Sequence, residues 1–238
     1  MKAKRQRQFQ GFSRRTFTFL RDIGRHNDKA WFQAHRPVYE QHVLQPLRDL
    51  VSDLTDTMLG IDLSFEVSPA VGKTISRIYR DTRFSHDKSP FRDCMWIVFK
   101  RSARNWARYV PGYFLEINPT WYRYGLGFYD AAPDLMVRFR RRIDEDPQSF
   151  LKAVAWFSRQ KVFTLEGERY RRPIGQDKPE PIRTWYQSKS FYLSCDRKID
   201  DAIQSPRFAG QLARHFRLAA PLYHYIRRTA AEVLTEYR

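Results

Sequence analysis

Apolar residues recur at three- and four-residue spacing through Phe12, Thr16, Phe19, Leu20 and Ile23, which predicts an amphipathic helix that Ser13 caps and Gly24 closes. Asn27 suits the cap of a short second helix through Trp31, Phe32 and Ala34. Pro37 suits the first turn of a long third helix, whose stripe runs Tyr39, Val43, Leu47, Leu50, Val51, Leu54 and Met58 to an end at Gly60. Pro46 has no N–H to donate and is expected to kink or divide that helix. From about Phe65 the period shortens, and Phe65–Val67, Thr74–Arg80, Cys94–Lys100, Tyr109–Ile117 and Tyr122–Tyr129 read as strands. Their connections are too short for crossover helices, so an antiparallel meander is predicted. Helices then return, with Pro133 and Pro147 in first turns, Asp146 as a cap, and Leu135, Phe139, Ile143, Phe150, Val154 and Phe157 as buried stripes. Residues 166–182 read as an ordered loop or hairpin, followed by a strand at Ser190–Cys195 and two closing helices near 206–218 and 221–236. The fold class is therefore α+β, an antiparallel β-meander sheet packed by N- and C-terminal helices. Residues 13–238 are expected to form one domain behind a basic, flexible tail at 1–12.

Composition leaves that picture standing and adds charge. Across 238 residues, 43 Lys+Arg face 26 Asp+Glu, a formal net charge of +17. With 42% hydrophobic and 16% aromatic residues, the chain has ample material for a core. Lys2, Lys4, Arg5, Arg7, Arg14 and Arg15 fall near the start with no acid among them, so part of the excess belongs to the tail. That start has no apolar segment of a secretory signal, and a cytoplasmic location is expected. The longest apolar run, Met95–Phe99, is far below the roughly 20 residues of a membrane span, so no membrane partner is expected. Cys94 and Cys195 read as free thiols.

Several familiar motifs fail on inspection. Val71-Gly72-Lys73-Thr74 lacks the upstream glycine of a phosphate-binding loop, where Val67 stands, and it precedes a predicted strand instead of a helix. Gly125-Leu126-Gly127 has no third glycine and suits a bulge in an aromatic strand. The six histidines form no zinc spacing, so neither a metal nor a cofactor is expected. Arg138, Arg140, Arg141 and Arg142 surround the buried positions of one helix and are read as a solvated face. Lys100, Arg101, Arg104 and Arg108, interleaved with Trp106 and Tyr109, are read as a solvated hairpin.

The most informative stretch is 77–92, Arg-Ile-Tyr-Arg-Asp-Thr-Arg-Phe-Ser-His-Asp-Lys-Ser-Pro-Phe-Arg. Strand alternation places Arg77, Tyr79 and Asp81 on one face and Ile78 and Arg80 on the other. Turn-forming residues beyond Asp81 are expected to fold Arg83, His86 and Lys88 back toward it, which would gather cations around one carboxylate. Arg77, Arg80, Arg83, Lys88 and Arg92 outnumber Asp81, Asp87 and Asp93, so a self-contained ion network does not balance from this segment alone. Ligand-binding roles are assigned on this basis to Arg77, Arg80, Arg83, Lys88 and Arg92, and candidate catalytic roles to Asp81 and His86.

This stretch resembles the signature R-x-x-R-D-x-R-F-x-x-x-K-x-P-Y-K of a bacterial family of unknown function, domain of unknown function 2461. Arg77, Arg80, Asp81, Arg83, Phe84, Lys88 and Pro90 match it, whereas Phe91 and Arg92 replace its Tyr and Lys. Asn27, Trp31, Phe32, Arg36 and Tyr39 are similar to the family's N-terminal segment, with His35 where Asn is usual. Pro111-Gly112-Tyr113-Phe114, Gly125-Leu126-Gly127, Arg171-Arg172-Pro173-Ile174-Gly175 and Lys189-Ser190-Phe191 are similar to later segments. The resemblance implies no activity. Three readings stay open: a pocket for an anionic, phosphate- or carboxylate-bearing small molecule, an enzyme acting on such a substrate there, and a nucleic-acid binder using the tail and the arginine patches. A purely structural ion network at the signature stands beside them.

Overall fold

The computed structural model describes residues 8–83, 86–101, 106–128 and 130–236. Helix α1 spans Arg14–Arg25 and α2 spans Lys29–Tyr39. A π-helical turn, Glu40–Leu44, leads into α3, Gln45–Ile61. Then come β1 (Met95–Phe99), a single turn α4 (Trp106–Tyr109), β2 (Gly112–Ile117) and β3 (Trp121–Gly127). Helices α5 (Pro133–Glu145) and α6 (Pro147–Val154) follow, then β4 (Thr164–Glu166), α7 (Glu180–Tyr186), β5 (Tyr192–Lys198) and α8 (Arg207–Glu236). The strands make one antiparallel sheet in the order β1-β2-β3-β5-β4, so the fold is α+β, and β1 to β3 are the last three of the five strands of the predicted meander, with none at Phe65–Val67. No described helix is long and apolar enough to cross a membrane.

The chain gathers into two compact units. One comprises Met1–Phe99, Phe114–Tyr124 and Asp196–Arg214, and the other Lys100–Tyr113, Gly125–Cys195 and His215–Arg238. The first has a core of Phe12, Leu20, Ile23, Val43, Leu47, Leu54 and Met58 with Ile97, Leu115 and Phe208, all essentially inaccessible. The second packs Phe139 edge-on to Phe150 and Phe150 edge-on to Tyr225, at 5.6 and 5.4 Å between ring centres.

Local signals hold in part: Ser13 precedes α1 without a side-chain capping bond, and α1 and α3 run one residue past Gly24 and Gly60. Asp146 accepts from Ser149 N–H, and Pro133 and Pro147 occupy first turns. Pro46 does divide the third helix, though the break is a π turn ahead of it, and α2 runs through Pro37 to reach that turn. Because Pro46 cannot donate to the carbonyl four residues back, that of His42, the buried Thr16 hydroxyl supplies the bond instead, at 2.5 Å.

Other expectations are corrected. The closing helices are one: α8 continues through Pro221 because Phe216, Ala219, Leu222, Tyr223 and Ile226 are buried on both sides of it, which outweighs a proline penalty of about 3 kcal/mol. Residues 8–12 of the expected tail are docked, with Phe9 and Phe12 fully buried and Asp53 accepting from the N–H groups of Gln8 and Phe9. Lys2, Lys4, Arg5 and Arg7 lie outside the described residues. Thr74–Arg80 is not a regular strand but an extended segment with isolated bridges, Ile75 to Ile97 and Tyr79 to Phe91. The reason is chemical: the Ser76 hydroxyl captures Trp96 N–H at 3.0 Å, and Pro90 has no N–H to offer. The 166–182 stretch, expected as an ordered loop or hairpin, follows β4, which pairs antiparallel with β5, and its Arg169 bridges Ser188.

Candidate functional site

Segment 77–92 is moored to the N-terminal helices by a residue the sequence suggested for another task. Asp28, not Asn27, caps α2 by accepting from Trp31 N–H at 2.8 Å. Asn27 instead grips the backbone of Phe91, donating from Nδ2 to its carbonyl at 3.0 Å and accepting its N–H at 2.9 Å. The Phe91 ring, 1% exposed, stacks on Phe32 at 4.5 Å and packs on Tyr79 at 4.9 Å. Two of the stretches that carry the family resemblance thus meet in space. Asn27→Ala removes both bonds and leaves a part-buried amide and carbonyl unpaired, for an expected loss of about 1–3 kcal/mol in chemical denaturation. A loss below about 0.5 kcal/mol contradicts the clamp.

Backbone pairing continues on either side, from Arg80 N–H to Pro90 O at 2.9 Å and Arg92 N–H to Ile78 O at 2.8 Å. Ile78 is buried while Arg77, Tyr79 and Asp81 are exposed, as alternation predicts. The cations do not gather around one carboxylate. Arg83 alone grips Asp81, with Nε to Oδ1 at 2.9 Å and Nη2 to Oδ2 at 2.7 Å. Arg80 pairs with Asp87 and donates to Ser89 Oγ, and Lys88 donates to the Thr82 carbonyl at 2.9 Å. Arg77 folds back over the turn at Gly72, whose positive φ of 81° suits glycine and whose missing Cβ leaves that space open. Arg92 lies over the Trp96 ring at 4.8 Å, and its Nε is buried without a hydrogen-bond partner among the described residues. His86 is exposed and has no polar partner among the described residues; Phe84 lies outside them.

Electrostatics follow from these pairs. The hydrogen bonds from Arg83, side chain first and then backbone N–H, pull the Asp81 carboxyl down to about 2, with Arg92 adding to the effect. Any stability this lends is present above the ordinary aspartate range, near pH ~4, and fades as pH falls toward 2. In an NMR carboxyl titration Arg83→Met is expected to raise the Asp81 midpoint toward, but not fully to, about 4, because the backbone N–H of residue 83 still donates. A midpoint that stays near 2 contradicts the assignment. Asp87 is lowered chiefly by its hydrogen bonds from Ser89. Burial pushes the Cys94 thiol up to about 11, with Glu116 and Asp93 reinforcing it, so this cysteine is a poor nucleophile.

Nearby chemistry is sparse. The π turn opens a surface groove of about 500 Å³ lined by Pro37, Glu40, Gln41, Leu44, Gln45 and Arg48, and none of the 77–92 cations lines it. Among the described residues no three His, Cys, Asp or Glu are grouped to hold a metal ion. In the other unit, the α5 arginines are not the solvated face expected. Arg138 and Arg142 pair with Glu232, and Arg140 is only 9% exposed. Arg108 pairs with Asp130, while Arg104 lies outside the described residues.

Fold and site together define an α+β protein bearing a clamped, cation-rich surface segment. The chain belongs to the conserved hypothetical protein family DUF2461, whose model matches residues 15–225. No curated protein matches the sequence significantly.

Proposed function

We propose that the protein binds an anionic ligand, phosphate- or carboxylate-bearing, on segment 77–92, with Arg92 as the anchoring cation. The observation that carries this reading is the Arg92 Nε, a charged group's donor buried with nothing among the described residues to accept from it. Such a donor is costly to leave unmade, and a turn of the half-exposed guanidinium that uncovers it lets an oxyanion satisfy it with a charge-assisted bond. The charge count supports the same reading. Arg80 and Arg83 are matched by Asp87 and Asp81, whereas Arg77, Lys88 and Arg92 have no carboxylate in ion-pair range among the described residues. Asp81, gripped at both oxygens, is a weak proton acceptor, which favours an orienting role for it over general-base turnover.

Calorimetric titration with inorganic phosphate and with a small dicarboxylate, at fixed ionic strength, tests the proposal. Arg92→Met is expected to weaken binding of the preferred anion about tenfold or more while the fold is retained. A variant that binds as the parent protein does overturns the reading. A discrete site also predicts little loss of affinity between low and moderate salt. A steep loss favours extended phosphate contacts, as on a nucleic acid.

A further inference from the structure

Arg140 is a buried cation without a counter-ion among the described residues. It projects from α5 with Met136, Phe139 and Ile143 on the stripe that faces the core, and it is 9% exposed. Its partners are neutral: Nη1 donates to the Ser188 carbonyl at 3.2 Å, Nη2 donates to the Tyr170 hydroxyl at 3.3 Å, and the guanidinium lies 5.2 Å from the centre of the Tyr170 ring. A charge held this way remains undercompensated, because neutral acceptors recover only part of its lost hydration.

The loop above Arg140 makes the imbalance larger. Tyr170 N–H bonds to the Gln187 carbonyl and Arg169 bridges Ser188, so the 169–170 backbone lies against the stretch that Arg140 holds. The acids of this region are already used: Glu168 by Lys189, Asp144 and Asp177 by Lys178, and Glu180 by Arg183. Arg169, Arg171 and Arg172 are exposed, and no side-chain hydrogen bond or ion pair engages them among the described residues. One buried arginine bonded to Tyr170, and three exposed ones beside it in the chain, are thus left without a carboxylate among the described residues. Because the Tyr170 oxygen accepts from Arg140, its own proton is available to donate outward, and the residue is 37% exposed.

We propose that Tyr170, backed by Arg140 and flanked by Arg171 and Arg172, is a second anion site, one that takes a phosphate group. Tyr170 donates its hydroxyl proton to a phosphate oxygen, the exposed arginines supply charge and fork geometry, and Arg140 positions and polarises the phenol without touching the ligand. A small phosphate compound and a nucleic-acid backbone present the same chemistry, and the experiment separates them.

Binding of inorganic pyrophosphate and of a short oligothymidylate is measured in the Arg92→Met background, so failure of the site proposed on segment 77–92 does not touch the result. Tyr170→Phe, which keeps the ring, and the double variant Arg171→Glu/Arg172→Glu are each expected to weaken binding about tenfold. The charge control Arg21→Glu/Lys29→Glu, at exposed positions on α1 and α2, is expected to leave it unchanged. Loss with pyrophosphate assigns a small phosphate ligand, and loss with the oligonucleotide alone assigns a phosphodiester backbone. No binding of either probe, or an equal loss in the charge control, overturns the site.

Discussion

Replacing Phe91 with alanine is expected to destabilise the protein by about 3–5 kcal/mol, the range for truncating a buried aromatic ring. Its ring touches Phe32 and Tyr79, and its backbone N–H and carbonyl are the two groups that Asn27 holds. The cavity therefore opens where segment 77–92 is moored. Two readouts are expected to move together: the midpoint of urea unfolding, and hydrogen exchange at the Arg80 and Arg92 amides, whose acceptors lie on the paired strands of the segment. A loss under about 1 kcal/mol with unchanged exchange contradicts the packing described here.

The second large effect is expected at Gly127. A Cβ there falls within van der Waals contact of Cα and Cβ of Tyr192, the neighbouring residue on β5, and close to the Phe191 carbonyl. The obstacle is backbone and not the mobile end of a side chain, so the strands must separate or the register must yield. Gly127→Ala is expected to cost at least about 3 kcal/mol in chemical denaturation, at the upper end of overpacking effects. The reciprocal change Tyr192→Ala is not expected to rescue it, because the clash is with atoms alanine retains. A Gly127→Ala protein as stable as the parent contradicts the close approach of β3 and β5 at this point.

Gly127 also shows why some of the fold was legible and some was not. A glycine in an aromatic strand signals either a bulge or a close neighbour, and only the partner strand decides; β3 is regular and the neighbour is Tyr192. Signals confined to a few residues, such as the Asp146 cap and the prolines at first turns, read directly from the chain. Pro221 misled because the favourable packing around it outweighs a local penalty. Asn27 was legible as a helix-end residue, but its partner lies 64 positions away, beyond any local pattern. The alternation along 77–81 was legible, whereas the dispersal of its arginines depended on acids and carbonyls placed by the turn. Arg140 carried a signal in its spacing: it lies four residues after Met136 and three before Ile143, inside the buried stripe of α5.

The anion site proposed on segment 77–92 is tested most directly at the Arg92 Nε–H resonance. Followed by NMR as inorganic phosphate or the small dicarboxylate is added at constant ionic strength, that resonance is predicted to shift saturably. The corresponding signal of exposed Arg14 is predicted not to move. An Arg92 signal that stays in place with both anions, or that moves only in step with Arg14, contradicts the account.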